Sequence, residues 1–229
     1  MAADRPSGRI AVIDYQLSNL FSVERACEAA GLNASLTSRP QEVAAADALI
    51  LPGVGAFGEA MRRLERLDLV AAIREAVDAG KPLFGICLGL QLLFSESEEF
   101  GSHRGLDLVK GVVRRFPAST AAGQRVKVPH VGWNRIRPPE SSKWTGTPLE
   151  SLKGGDFMYF VHSFYAVPEN PADTLASSDY GDVTFCSSVA KGPSLFATQF
   201  HPEKSGRPRG VAIYQAWARL HGLARKEHR

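Results

Sequence analysis

The sequence predicts an α/β protein with a central, mostly parallel sheet, flanking helices and an added antiparallel portion. Two patterns carry that expectation. In the first half, short apolar runs alternate with stretches of helical periodicity, and strands separated by helices pair in parallel with helices on both faces. In the second half, apolar runs follow one another with little helix between them, as antiparallel strands do. The chain has 229 residues, 44% hydrophobic and 22% charged, ordinary globular values that exclude wholesale disorder. At about 150 residues per domain, one large domain is as natural as two small ones. No repeat, low-complexity stretch or linker marks a boundary, so a single domain over residues 1–229 is expected, its ends (1–8 and 224–229) loosely held.

Residues 10–15 read as a buried strand. A helix starts at Ser18 and Asn19, with Leu20, Val23, Cys27 and Ala30 on one face and Gly31 to stop it. A weak strand at 34–37 precedes a strong one at 48–51, which ends at Pro52-Gly53. Helical pattern returns over 59–79, interrupted near Leu67-Asp68 and closed by Gly80-Lys81-Pro82. A short apolar strand at 83–86 runs into a helical stretch at 88–94. Beyond it, 112–116, 125–128, 157–165, 183–189 and 195–200 qualify as strands. A last helix covers 209–223 with Ile213, Trp217 and Leu220 spaced for one core-facing side, and 138–155, rich in Pro, Ser, Thr and Gly, reads as a loop.

The formal charge of +3, from 27 Lys and Arg against 24 Asp and Glu, is too small to signal nucleic-acid binding, and much of it sits in the tail 225–229. Three cysteines, Cys27, Cys87 and Cys186, cannot all pair and have no zinc-type spacing. The opening residues lack a secretory pattern, and no run approaches the roughly 18 apolar residues of a membrane span. The expectation is a protein of a reducing cytoplasm, with no metal.

Chemistry concentrates at Gly85-Ile86-Cys87-Leu88-Gly89, between a buried strand and a helix. This is a nucleophile elbow with a thiol in place of the hydroxyl: small flanking residues permit the tight turn that lifts Sγ out of the sheet. The helix start favours a thiolate, and the Leu88 N–H points where an oxyanion would form. A structural cysteine at a glycine-rich turn gives the same local pattern, so the reading needs a base. His201 supplies one. In Phe200-His201-Pro202-Glu203 a carboxylate follows two positions later, on the same side of an extended segment, where it can hold the imidazole tautomer. Pro52-Gly53-Val54-Gly55-Ala56-Phe57-Gly58 matches neither nucleotide-binding glycine pattern. Beside a thiol nucleophile it reads as an oxyanion-hole loop, and Gly53 leaves its peptide free to turn either its carbonyl or its N–H inward. Cys27 and Cys186 read as core residues.

Taken together, GICLGLQLLF at 85–94 and QFHPEKS at 199–205 resemble the triad (class I) glutamine amidotransferases. PGVG within PGVGAFGEAM at 52–61, GWN within PHVGWN at 129–134 and HPEKS at 201–205 narrow the resemblance to the glutaminase subunits of imidazole glycerol phosphate synthases, and with YFVHSF at 159–164 it runs over nearly the whole chain. The resemblance implies the three-layer fold of that family and a Cys87–His201–Glu203 triad. It implies an oxyanion hole at Gly53, Val54 and Leu88, and contacts to glutamine from Gln91 and backbone groups of Gly55, Ser163 and Phe164. Asn19, Pro129, His130, Trp133 and Lys204 match family positions at or near the interface with a (β/α)8 cyclase subunit, the implied heterodimer partner. No cofactor, nucleic acid or membrane enters. Two departures stand out: Gln16-Leu17-Ser18 lacks the family's glycines before Asn19, and Phe164 stands where Tyr is frequent. A glutaminase serving an anthranilate or pyridoxal phosphate synthase, and a non-catalytic regulatory subunit, are the competing readings.

Overall fold

In the computed structural model, which describes residues 8–17, 20–139 and 144–224, strands and helices alternate at first. β1 (Arg9–Ile13) leads to α1 (Leu20–Ala29), β2 (Asn33–Thr37), α2 (Pro40–Ala45) and β3 (Ala48–Gly53). Two helices, α3 (Phe57–Arg66) and α4 (Leu69–Asp78), precede β4 (Leu83–Cys87) and the short α5 (Leu88–Leu92). Strands then dominate: β5 (Phe94–Ser97), β6 (His103–Arg104), β7 (Val109–Arg115), β8 (His130–Arg135) and β9 (Phe157–His162). After them come β10 (Phe164–Pro168), β11 (Thr174–Tyr180), β12 (Val183–Lys191), β13 (Leu195–Thr198) and the helix α6 (Arg209–Leu220). The expected helix start at Ser18 and Asn19, and most of the expected loose ends, lie outside the described residues.

One sheet runs β2-β1-β3-β4-β13-β12-β10-β7-β5-β6, with β11 on β12. The pairs β2/β1, β1/β3, β3/β4 and β4/β13 are parallel. β12, β10 and β7 extend the sheet antiparallel. Alternate residues feed two cores, as a sheet buried on both faces requires. Ala11, Ile13, Leu49 and Leu51 pack with Val43 of α2, Leu64 of α3 and Ile73 of α4. On the other face Ile10, Val12, Ile50 and Phe84 pack with Val23 of α1 and with Ile213 and Trp217 of α6. The result is three layers, α/β/α, with an antiparallel extension. β8 and β9 form a separate antiparallel pair laid over the second core, in register from His130↔His162 to Arg135↔Phe157.

Several sequence expectations are corrected. The 157–165 run is two strands: β9 joins β8, while β10 joins the main sheet, and the chain changes partners at Ser163. A period-two pattern continues across such a change and does not reveal it. Residues 125–128 are not a strand; a single bridge, Ser119↔Arg125, is all that forms, although Val128 packs against the second core. The helix after Cys87 ends at Leu92, and Phe94 already belongs to β5. Leu220 is 44% exposed, so Ile213 and Trp217 alone of the three face the core. The interruption at Asp68 is a left-handed residue, φ 56°, that separates α3 from α4. The described part of 138–155 is a loop, yet Trp144, Leu149 and Leu152 in it are buried.

Phe84 lies at the centre of the second core, its ring centroid 4.8 Å from Phe196, 5.2 Å from Tyr214 and 5.6 Å from Trp217. Phe84→Ala is expected to cost about 3–5 kcal/mol, a fall in melting temperature of the order of 10 °C for a chain of this size. Calorimetry checks it; an unchanged transition would mean that the aromatic cluster is not a stabilising centre.

Candidate active site

Parallel pairing places the C-terminal ends of β3, β4 and β13 side by side, with Gly53 opposite Cys87 and Thr198 opposite Ile86. Such ends, in open α/β sheets, are where ligands bind. Cys87 is the last residue of β4 and the N-cap of α5, with φ 56° and ψ −108°, a conformation that costs a non-glycine residue about 1–3 kcal/mol. The flanking glycines make it possible. A Cβ on Gly89 would lie 1.7 Å from the Leu51 carbonyl oxygen, and one on Gly85 would lie 2.9 Å from the Ala197 Cβ. The thiol thus emerges where strand, helix and two neighbouring strands converge.

His201 follows β13 and is held by its backbone. Its N–H donates to the Tyr159 carbonyl at 2.9 Å, and its carbonyl accepts from the Ser205 hydroxyl at 2.7 Å. The same hydroxyl accepts the Tyr159 N–H at 3.1 Å, so β9 and the turn after His201 are stitched together. Nδ1 lies 2.6 Å from the Glu203 Oε1, both side chains 3% exposed. The contact is made by a 3-10 turn over Pro202–Lys204, not by the extended alternation that the sequence suggested. Nε2 makes no hydrogen bond of ordinary length; its coupling to Cys87 is electrostatic. Burial opposes a charged imidazole here, but the charge on Cys87, together with Glu203, outweighs it and pushes His201 up to about 10. The imidazolium therefore persists through neutral pH and is lost as pH rises through that value. Burial pushes both other thiols, Cys27 and Cys186, up to about 12.

Beside Cys87 opens a pocket of about 290 Å³, lined among others by Gly55, Leu88, Gln91, Glu99, Ser163 and Phe164. A thiol, a buried imidazole paired with a carboxylate, and an adjoining pocket of this size with a few polar groups in its wall suit covalent attack on a small carbonyl or carboxamide substrate.

Residues 11–219 match the family described as Glutamine amidotransferase class-I. The chain belongs to that family. It is 47% identical, over 92% of its length and 94% of the relative's, to the imidazole glycerol phosphate synthase subunit HisH of Moorella thermoacetica. It is also 47% identical to the HisH subunit of Aquifex aeolicus, over 92% of this chain and 96% of the other. Among solved structures it resembles a glutamine amidotransferase at TM-score 0.68 and 19% identity, over 93% of this chain and 98% of that one. PurLQS from Thermotoga maritima matches at the same TM-score with 18% identity and the same coverage, a likeness of fold.

The positions implied by the amidotransferase resemblance divide three ways. Cys87, Leu88, Val54, Gly55, Gln91, Ser163 and Phe164 all line the pocket, while His201, 2% exposed, sits behind the thiol. Gln91 donates Nε2 to the Phe164 carbonyl at 2.9 Å and to Gln199 at 3.0 Å, which leaves Oε1 as the atom it can offer. The Ser163 and Phe164 carbonyls are engaged by the Phe116 N–H and by Gln91. The Val54 N–H is not turned to the pocket: it donates to the Leu17 carbonyl at 3.0 Å. Gly53 is required for space rather than for angular freedom, since a Cβ there would lie 2.0 Å from the Tyr15 hydroxyl and 3.0 Å from the Leu88 Cβ.

The departure before Asn19 is accommodated locally. Gln16 takes φ 67° without being glycine, its N–H on Asp14 at 2.8 Å and its carbonyl on the Arg63 guanidinium at 2.8 Å. Of the expected partner contacts, Trp133 is 54% exposed, Lys204 is exposed, and Pro129 is exposed beside the pocket. His130 is a correction: at 4% exposure it points into the core. Asn19 lies outside the described residues. Sequence reasoning missed Glu99, a carboxylate in the pocket wall held by the Phe57 N–H at 2.6 Å; its acidic run, Glu96-Ser97-Glu98-Glu99, carries no periodicity that singles it out. Among the described residues no group of three or more His, Cys, Asp or Glu could hold a metal ion, and no helix is long and apolar enough to cross a membrane.

At neutral pH a small alkylating reagent should modify Cys87 and spare Cys27 and Cys186, as peptide mapping would show. His201→Ala should slow modification of Cys87 about tenfold or more, because the variant lacks the imidazole that sits beside the sulfur. Labelling of Cys186 at a comparable rate would contradict the assignment.

Proposed function

We propose that the chain is the glutaminase subunit of an imidazole glycerol phosphate synthase, acting as one domain in a heterodimer with a (β/α)8 cyclase subunit in histidine biosynthesis. The observation that carries this is the strained thiol of Cys87 facing the buried His201–Glu203 pair at the head of a pocket of about 290 Å³. Relatives named as HisH subunits of that synthase favour it over the anthranilate and pyridoxal phosphate alternatives. Three buried, unpaired cysteines suit the cytoplasm.

Glutamine enters with its carboxylate toward donors of Ser163 and Phe164 and its ammonium toward Glu99 and the Gln91 Oε1. The Cys87 sulfur attacks the side-chain carboxamide carbon, and the C=O electrons move onto oxygen. His201 gives its Nε2 proton to the departing nitrogen, ammonia leaves, and a glutamyl thioester remains. Water, deprotonated by His201, then attacks the thioester and releases glutamate, returning Cys87. Glu203 holds the Nδ1 proton throughout and so fixes the tautomer. The cyclase docks on the face that carries Trp133 and Lys204, receives the ammonia internally, and forms imidazole glycerol phosphate and aminoimidazole carboxamide ribonucleotide.

The Leu88 N–H is one oxyanion donor. The second, from Val54, is engaged by Leu17, and a lost oxyanion donor typically costs about 10²–10³ in rate. Turning the Gly53–Val54 peptide inward on partner and nucleotide binding would supply it.

Three measurements on one preparation test this reading. Cys87→Ala should abolish glutamine-dependent synthesis by the complex and leave ammonia-dependent synthesis intact; retained glutaminase activity would sink the nucleophile assignment. Glu203→Gln should lose less turnover than His201→Ala, since orienting a base matters less than supplying it. The isolated chain should hydrolyse glutamine about 10²–10³-fold more slowly than the liganded complex, and full activity of the chain alone would end the oxyanion argument.

A further inference from the structure

His130 and His162 face each other across the β8/β9 pair, and nothing in the triad chemistry uses them. His130 Nδ1 lies 3.1 Å from His162 Nε2. His162 Nδ1 lies 2.8 Å from the Phe164 carbonyl, the same oxygen that takes the Gln91 amide. At the other end Asn134 Nδ2 lies 3.4 Å from His130 Nε2. His130 is 4% and His162 6% exposed.

A carbonyl oxygen only accepts, so every role in this line is determined. His162 Nδ1 must carry a proton to meet Phe164, which leaves its Nε2 as acceptor. His130 Nδ1 must then be the donor, and its Nε2 accepts from Asn134. The amide of Asn134 is oriented independently: Oδ1 accepts the Arg135 N–H at 2.7 Å, and Nδ2 donates to the Asp179 carbonyl at 2.8 Å. Burial pushes His130 down to about 4 and His162 down to about 3, so both stay neutral, as a line of single protons requires. Aromatic rings close the flanks. His130 is stacked between Tyr180, at 4.0 Å, and Phe160, at 5.1 Å, and His162 packs on Phe116 and Phe185, each at 5.3 Å. Only the ring edges are free to bond, and they point along the line.

We infer that Asn134, His130 and His162 are positioning residues, a one-directional hydrogen-bond line that fixes the Ser163–Phe164 wall of the pocket for the amino-acid end of glutamine. This rests on the glutamine reading of the pocket. The chain changes sheets at Ser163, so neither β9 nor β10 alone holds that wall; the side-chain line supplies the missing constraint. It also gives the Asn of PHVGWN an inward role, while its neighbour Trp133 faces out.

Nitrogen-15 spectra of the histidine-labelled chain and glutamine kinetics of the assembled complex test the inference. Both residues should appear as neutral Nδ1–H tautomers; an Nε2–H tautomer at either overturns the line. His130→Phe fills the aromatic box but strands the His162 Nε2. It should raise KM for glutamine about tenfold or more and leave kcat within about twofold, because uniform binding is what is lost. His130→Asn keeps an N–H near the Nδ1 position and should recover most of the loss. An unchanged KM in His130→Phe, a fall in kcat at constant KM, or His130→Asn no better than His130→Phe overturns the inference. If His130→Phe does not fold, Asn134→Ala at the half-buried end carries the same test with a smaller rise in KM, and no rise overturns it. A wild-type complex without glutaminase activity would instead overturn the proposed function, and this inference with it.

Discussion

The carbonyl oxygen of Leu51 occupies the space into which any side chain at position 89 would project, 1.7 Å from where a Cβ would sit. Helix α5 can rest on the end of β3 only as bare backbone, and that contact sets the turn from which Cys87 emerges. Once the turn is fixed, the parallel pairing of β3, β4 and β13 does the rest. It brings the end of β13, and with it His201, beside the sulfur, and the end of β3, with Gly53, to the other side. The pocket wall comes from the antiparallel part, through Ser163 and Phe164. A buried sheet anchored in two cores positions these groups more rigidly than surface loops alone could.

Burial alone does not decide the chemistry of the polar groups. His201, His130 and His162 are all nearly inaccessible, yet the first is pushed up and the other two down. His201 faces the charge of Cys87 and Glu203, whereas desolvation acts unopposed at His130 and, at His162, outweighs the hydrogen bond to the Phe164 carbonyl, with the charge of His201 adding to it. The thiols divide similarly. Cys27 and Cys186 sit where burial holds the proton on sulfur, whereas Cys87 has a cation behind it and an open pocket in front. One fold thereby sets two buried, protonated thiols apart from one that opens on a pocket.

The turn at Cys87 and the His201–Glu203 contact are legible because each is local in sequence: GICLG encodes a turn, and HPE places a carboxylate within reach of the imidazole. The parallel half was equally legible, since β1, β3 and β4 bury both faces and read as continuous apolar runs. What escaped was of another kind. β8 is too polar to announce itself, so the inward alternation of His130 and Asn134 is not legible in the residue pattern. The change of sheet at Ser163 hides inside an uninterrupted apolar pattern. Glu99 joins the pocket through a turn whose position depends on the Phe57 N–H, forty-two residues away. Which way the Val54 N–H points is a matter of one peptide orientation, and residue identities do not encode it.

Tyr15 and Gly53 hold a lesson about how such a site can change over generations. The tyrosine hydroxyl stands 2.0 Å from the place a Cβ on residue 53 would take, so the glycine is enforced by a side chain from an earlier part of the chain. Replacement at 53 is closed while the tyrosine stands, and once it has been exchanged for something smaller the Leu88 Cβ, 3.0 Å from the same point, must still give way. The two positions must therefore drift in a fixed order, and a lineage that has lost the tyrosine is the one in which a non-glycine residue at position 53 can first appear.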